Sequence, residues 1–332
     1  MNLRPLGNTG LHVSEIGFGA WGIGGNVGGS VAYGPTDDEA SVAALRRAVD
    51  RGVNFFDTAA FYGYGHSEQL LGHTLSAVRD QVVFATKAGF VDAAGRQDFS
   101  PHHLRESLEG SLRRLRTEWV DLYQLHSPSI AELEADERIV ATMEALVREG
   151  KTRTWGISVR NPDDGRQALA RWPVPCLQVN LNLLDQRAAD SGLLDLCAAR
   201  RVGVIARTPL CFGFLTGRYE DIQFDFDDHR RNWPPEQVRR WGESWRLFAE
   251  RLTEHRTQTP AQLALRFCLS YPSVSTAIPG MLTAAQVEEN AAASELGVLD
   301  ADALRVVAEI YRGNTFFVPR KLNTTSAPKP RG

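Results

Sequence analysis

Cysteine pairs, long apolar runs and blocks of like charge are all scarce in this chain, and each shortage narrows what it can be. The four cysteines, Cys176, Cys197, Cys211 and Cys268, are widely scattered among 332 residues and never form a CxxC pair. That spacing offers neither a disulfide framework nor a zinc site, so no metal is expected and the thiols are read as reduced and mostly buried. No segment has the long uncharged run a membrane span needs, and the N-terminal MNLRPLGNTG lacks the apolar stretch of a secretory signal. A cytoplasmic location is the expectation. Basic and acidic residues nearly balance, 37 against 40, with no Lys/Arg-rich block to track a phosphate backbone. Nucleic acid and membrane are therefore set aside as partners.

What the chain does have is alternation. A hydrophobic fraction of 43% at this length can bury a large core, and α/β barrels often exceed the usual domain length as one unit. From residue 14 onward, short β-branched or apolar runs alternate with longer amphipathic stretches, the pattern of repeated βα units around a parallel sheet. The strand candidates begin near Ile16, Asn54, Val82, Val120, Thr154, Cys176, Gly203 and Ser275. Helix starts are marked by Ser100-Pro101 and Thr259-Pro260, where the hydroxyl can cap and Pro suits the first turn. The expected fold is an α/β (β/α)8 TIM barrel formed by residues 1–320 as one domain, with residues 321–332, rich in Pro, Ser, Thr and Lys, as a disordered tail. Two segments break the repeat. LRPLGNTGLHV reads as an N-terminal β-hairpin able to plug the barrel floor. Leu210 to Thr259, roughly fifty residues after the seventh strand, reads as a functional insertion such as a lid.

Gly17-Phe18-Gly19-Ala20-Trp21-Gly22 spells GxGxxG, with Asp37 about twenty residues on, and so raises a dinucleotide-binding doubly wound sheet. The context opposes it. WGIGGNVGGSVAYGP follows, too rich in Gly to open a helix, and Asp37 starts the helical run DDEASVAALRRAVDRG as a cap. The glycines are read instead as letting backbone approach a ligand at the barrel mouth, so Gly19, Ala20 and Trp21 count as candidate cofactor contacts.

Barrel enzymes place their chemistry at the C-terminal ends of strands. Asp57 ends NFFD, Tyr62 follows in the same loop, Lys87 ends VVFATK and His126 ends VDLYQLH. A carbonyl that accepts hydride becomes an alkoxide and needs a proton donor aimed at its oxygen. A phenol, with pKa about 10, is a poor acid at neutral pH until a cation lowers it. Lys87 can supply that cation, Asp57 can hold it charged and in place, and His126 can give the same oxygen a second hydrogen bond. Singly, each has a plain structural explanation: packing for the Tyr, an ion pair for Asp and Lys, a satisfied hydrogen bond for the His. At one end of three consecutive strands, an active site explains them better together.

FFDTAAFYGYGHSEQLLG, TKAGF and DLYQLHSP, carrying these four residues, resemble the signatures of the aldo-keto reductase superfamily, and the resemblance runs from RPLGNTGLHVSEIGFG to IPGMLTAAQVEENAA. It implies an eight-stranded barrel, an NAD(P)(H) cofactor bound without a doubly wound fold, and direct hydride transfer to an aldehyde or ketone. Asp57, Tyr62, Lys87 and His126 match the family's catalytic tetrad one for one, with Asp57 also near the cofactor. Ser158 and Gln178 match residues that hold the nicotinamide carboxamide. The family often has Asn directly after that Ser, where this chain has Val159 and then Arg160. Arg207 stands where relatives place a Tyr or Arg against the nicotinamide ring. Thr208, Pro209, Leu210, Phe212, Gly213, Leu215 and Gly217 match the loop along the pyrophosphate, with Arg218 closing over it.

Ile278, Pro279, Gly280 and Met281 lead to the adenosine end, where Glu289 and Asn290 match adenine contacts and Gln286 lies near the ribose phosphate. No Lys or Arg falls between Ile278 and Asn290. NADPH is therefore the expected cofactor with a weakened preference, and NADH is the alternative. Trp21, Phe61 and Phe90 match positions that line the substrate pocket, and Phe212, Tyr219, Phe224, Phe226 and Trp233 are candidates for a movable wall. The implied substrate is a small-molecule aldehyde or ketone, keto sugars and other biosynthetic intermediates included. A regulatory cofactor-binding module, similar to potassium-channel β subunits, is the competing reading, and the lack of an interaction arm before Arg4 weighs against it. Oligomeric state is not readable.

Overall fold

Local capping and turn chemistry place the elements of this chain where the alternation predicts. The computed structural model describes residues 1–27, 32–220, 222–252 and 257–319, and the 321–332 tail lies outside them. β1 (Leu3–Pro5) and β2 (His12–Ser14) pair antiparallel as the expected hairpin. Eight strands then form one parallel sheet in chain order. They are β3 (Phe18–Gly19), β4 (Phe55–Asp57), β5 (Val83–Ala88), β6 (Val120–His126), β7 (Thr152–Ser158), β8 (Cys176–Asn180), β9 (Gly203–Arg207) and β10 (Val274–Ile278). Parallel bridges Ile16–Ala277 and Gly19–Gly280 carry the pairing from the last strand back to the first, closing the barrel.

The glycine run belongs to that seam. The amides of Gly17 and Gly19 donate to the Ala277 and Pro279 carbonyls, both at 2.9 Å. A Cβ on Gly19 would stand 2.8 Å from the Ile278 carbonyl oxygen, closer than real contacts allow. Contact between two protein backbones by itself therefore requires a glycine here. A short 3-10 turn, Gly22–Gly24, follows instead of a phosphate-binding helix. Asp37 caps α1 (Asp38–Asp50), its carboxylate accepting from the Glu39 and Ala40 amides.

The remaining helices are α2 (His66–Leu75), α3 (Pro101–Leu115), α4 (Ile130–Ala135), α5 (Arg138–Arg148), α6 (Pro162–Arg171), α7 (Arg187–Asp190), α8 (Leu193–Arg200), α9 (Pro235–Arg251), α10 (Pro260–Leu269), α11 (Ala284–Ala291) and α12 (Ala301–Gly313). Ser100 caps α3 by accepting from the His103 amide, and Thr259 makes a reciprocal capping box with Gln262 at α10. Inside the barrel floor, Leu6, Leu11 and Val13 of the hairpin pack against Phe55, Val83, Leu122, Ile205 and Ile278. The floor is filled by side chains, so any ligand must enter from the other end. The expected insertion after β9 starts with tight 3-10 turns at Cys211–Thr216, passes a second at His229–Asn232 and continues as α9 before α10 resumes the repeat. Gln237 of α9 binds the Phe316 carbonyl at 2.8 Å and the Val318 amide at 2.7 Å, tying the segment after α12 to the insertion.

Candidate active site

β4 ends on Asp57, β6 on His126, β7 on Ser158, β9 on Arg207 and β10 on Ile278, and Lys87 is the penultimate residue of β5. A cavity of about 700 Å³ opens at this end. Parallel register is what brings the polar ends of separate strands together here, since every strand points its C-terminus the same way.

The four expected catalytic residues meet. Buried Lys87 donates from Nζ to Asp57 Oδ1 at 2.5 Å, to the Thr58 carbonyl at 2.9 Å and to the Tyr62 hydroxyl at 3.4 Å. Burial pulls the Lys87 pKa down, but the Asp57 carboxylate and Tyr62 outweigh it, and the ammonium ends above its ordinary value. Asp57 Oδ2 accepts from Gln178 Nε2 at 2.8 Å and from Gln124 Nε2 at 3.2 Å. Gln124 was absent from the sequence expectations. It sits two residues before His126 on β6 and therefore shares its face, which is the signal that could have found it.

The His126 ring stands edge-on to Tyr62 at 5.9 Å and to Phe90 at 4.8 Å between centroids, and Phe90 packs on Phe61 at 5.6 Å. Burial, reinforced by Lys87 and Arg207, holds the His126 pKa well below the usual histidine value, so the imidazole is neutral. Its Nδ1 is buried without a hydrogen-bond partner.

Most of the expected cofactor contacts share this cavity. Gly19, Ala20, Trp21, Asp57, Gln178, Arg207, Thr208, Pro209, Leu210, Phe212, Gly213, Arg218, Ile278, Pro279, Gly280, Gln286, Glu289 and Asn290 line it, as do Phe61, Phe90, Tyr62 and His126. Lys87, Ser158, Leu215, Gly217 and Met281 do not reach its wall. Lys87 lies beneath Tyr62, and Ser158 is buried with its hydroxyl 3.3 Å from Gln178 Oε1. Leu215 and Met281 are buried core side chains, and Gly217, at φ 73°, packs under the Trp245 ring.

Arg207 donates Nη2 to the Val159 carbonyl at 2.9 Å, while its buried Nε has no partner. Burial pulls its pKa below the usual guanidinium value despite Tyr62, Asp57 and Asp185 nearby. The loop that follows is strained, with Thr208, Cys211 and Phe212 at φ 54°, 45° and 57°. Such left-handed non-glycine residues cost on the order of 1–3 kcal/mol each and cluster at ligand clamps. Where the adenosine end is expected, Arg218 pairs with Glu289 at 2.7 Å, and Gln286 Oε1 accepts from the Leu282 amide at 2.6 Å.

The insertion supplies another wall, with two of the five side chains expected there, Phe212 and Tyr219. Tyr219 lines the cavity together with His229 and Arg230, which sequence reasoning missed, and Tyr33 joins them from the loop after β3. Phe224 and Trp233 pack behind this wall against Phe214, and Phe226 is 85% exposed. His229 lies among aromatic rings, 4.7 Å from Trp21 and 5.0 Å from both Tyr33 and Trp233. The His229 amide donates to the Ala32 carbonyl at 2.9 Å, and Nδ1 lies 3.1 Å from the same oxygen. Its Nε2 is buried and unpartnered, and burial lowers its pKa to about 4. Arg230 pairs with Asp228 at 2.6 Å and lies over the rings of Tyr219 and Phe224.

A closed eight-stranded parallel barrel with Asp, Tyr, Lys and His converging at its C-terminal mouth defines a class, and the sequence defines the family within it. The family model described as Aldo/keto reductase family matches residues 15–312, and the chain belongs to that family. It is thereby an oxidoreductase of a nicotinamide-using family that acts on small-molecule carbonyl compounds. It is 35% identical to L-galactose dehydrogenase of Arabidopsis thaliana over 91% of each chain. With the NADH-specific methylglyoxal reductase of Escherichia coli (strain K12) it shares 30% identity over 93% of this chain and 99% of the relative. The solved structure of the glycerol dehydrogenase AKR11B4 from Gluconobacter oxydans matches with a TM-score of 0.78 at 28% identity, covering 98% of each chain.

Proposed function

We propose that the protein reduces an aldehyde or ketone to the alcohol by direct hydride transfer, acting on CH–OH donors in reverse, with Tyr62 as proton donor. The observation that carries this reading is the Lys87 ammonium, buried and joined at once to Asp57 and the Tyr62 hydroxyl, beside a neutral His126 on the wall of a cavity. When bound, the nicotinamide supplies the hydride. The carbonyl π pair moves to oxygen, which takes its proton from the Tyr62 hydroxyl, and the adjacent Lys87 charge stabilises the phenolate left behind. Neutral His126 gives that oxygen a second hydrogen bond, while Gln124 and Gln178 fix the Asp57 carboxylate that holds Lys87.

The wall fits a dinucleotide on two grounds. Arg207 is half-buried, with a buried, orphaned Nε and no ion pair among the described residues, which suits a planar polar ring against it. The strained loop from Thr208 lines the wall through Gly213, where a pyrophosphate would lie. NADPH is the preferred cofactor by a modest factor and NADH is accepted. Three cations line the cavity, and of these Arg218 is committed to Glu289 and Arg230 to Asp228. The mixed aromatic and polar wall suits a hydroxylated carbonyl compound such as a keto sugar, in keeping with the names of the L-galactose and glycerol dehydrogenases among its relatives. We place the activity in the cytoplasm.

The test is steady-state oxidation of NADPH and NADH against a panel of aldehydes, ketones and keto sugars, repeated with Tyr62→Phe. Turnover is expected to fall by about 10²–10⁴-fold in that variant with cofactor affinity nearly unchanged. Wild-type turnover in Tyr62→Phe would remove Tyr62 from the mechanism.

A further inference from the structure

The turn that follows His126 is held in a conformation that its own residue resists. Ser127 has φ 61°, in the left-handed region that penalises a Cβ. A residue stays there only where its surroundings over-determine it. Two side chains from separate segments do so. Gln97, placed by the antiparallel bridge Phe90–Gln97, donates Nε2 to the His126 carbonyl at 2.8 Å and to the Ser127 carbonyl at 3.2 Å. Half-exposed Arg160 donates Nε to that Ser127 carbonyl at 2.7 Å and Nη2 to Gln97 Oε1 at 2.6 Å. Glu132, 3.7 Å from Arg160, supplies a nearby opposite charge.

The same hairpin that brings Gln97 to the His126 backbone brings Phe90 to its ring, at 4.8 Å. Backbone and imidazole of His126 are thus gripped by one element, and Arg160 locks that element to the turn. Arg160 stands two places after Ser158, where the sequence departs from the family's usual Ser-Asn pair. The chain that lacks this amide carries instead a guanidinium which bonds the Ser127 carbonyl, one residue after His126.

We infer that Gln97 and Arg160 are positioning residues that set the placement of the His126 imidazole against the carbonyl oxygen. The inference rests on the role proposed above for His126. Neither side chain lines the cavity, so each acts through His126 and not by touching a ligand. A misplacement of about 1 Å in a catalytic group can cost on the order of 10²-fold in rate, which is the scale such a clamp can control.

The test uses the full chain carrying Arg160→Met and Gln97→Leu, singly and together, with 4-nitrobenzaldehyde as the probe carbonyl. Nitrogen-15 histidine NMR is recorded in parallel, with the His126 signal identified by its loss in His126→Ala. The double variant is expected to lose about 10²-fold in kcat at unchanged cofactor affinity, and to shift the His126 signal while the other histidine signals stay in place. Ser127→Gly added to Arg160→Met should restore much of kcat, because glycine takes a positive φ at no steric cost. Retention of kcat within about twofold together with an unmoved His126 signal would overturn the inference. So would a loss of cofactor affinity with all histidine signals displaced, which would reduce the clamp to a general brace. A wild type that turns over no carbonyl would sink the proposed function instead, and the NMR would still decide whether the clamp places His126.

Discussion

Along the strand-end wall of the cavity, Asp57 accepts from Lys87, Gln124 and Gln178, and Lys87 donates to Asp57, Thr58 and Tyr62. Across from it, on the wall made by the insertion and the loop after β3, His229 keeps one buried nitrogen unpartnered among Trp21, Tyr33 and Trp233. The first wall is directional, since each bond fixes an angle as well as a distance. On the second, directional bonds tie Arg230 to Asp228 and His229 to Ala32 at its back, while the aromatic packing around the His229 ring specifies contact without specifying direction. On the function proposed above, fixed proton geometry would belong to the first wall and accommodation of ligand shape to the second. Substitutions on the two should therefore differ in kind.

The sharpest break is at Lys87. Lys87→Met should abolish most carbonyl turnover and also destabilise the fold, because Asp57 is left as a buried charge without its partner, at a cost of about 3–5 kcal/mol. Adding Asp57→Asn removes the stranded charge while keeping its shape. Thermal melts and turnover of both variants decide the role: recovered stability without recovered activity marks Lys87 as catalytic, and recovery of both reduces the pair to a barrel support.

A smaller effect separates the cofactor's two ends. With Arg218 and Arg230 already paired, fluorescence titration should show NADPH binding only modestly tighter than NADH. A preference above about a thousandfold, roughly 4 kcal/mol, would mean that a cation reaches the 2′-phosphate after all.

The smallest effect lies on the aromatic wall and depends on pH. Burial depresses the His229 pKa from 6.5 to about 4, so the folded protein favours the neutral ring. The unfolded chain binds the extra proton first as acid is added. The His229 contribution to stability is complete above pH 6.5 and is lost as pH falls from there through about 4. Tryptophan emission, sensitive to Trp21 and Trp233 beside the ring, should change as the folded ring takes its proton around pH 4 and change less in His229→Phe. An identical acid transition in the variant would assign the change elsewhere.

The contrast between the walls also explains what the sequence disclosed. Strand ends carry a local signature, so Asp57, Tyr62, Lys87 and His126 were legible, and the structure places them together. The eight strands were legible for the same reason, with β7 beginning at Thr152 rather than Thr154. His229, Arg230 and Tyr33 were not, because they reach the cavity only when the insertion docks on the loop after β3 through Ala32. No periodicity records such a contact. Phe226 and Trp233 misled for the matching reason: aromatic character does not say which way a loop turns. Gly19, read as room for a ligand, lines the cavity, but its close contact with the Ile278 backbone, far along the chain, was not legible.

That last contact bears on how the molecule is made. The barrel is sealed where β3, only Phe18–Gly19, meets the strand and turn around Ile278–Gly280 from the opposite end of the chain. During synthesis the first strand therefore waits, its sheet edge unpaired, until nearly the whole polypeptide has emerged. Closure is a late, non-local docking that must first meet the loop entropy of the intervening chain, which slows folding and leaves an adhesive edge open to other molecules in the meantime. A seam so short and so dependent on glycine makes the first βα unit the point at which nascent chains of this protein are most exposed to misassembly.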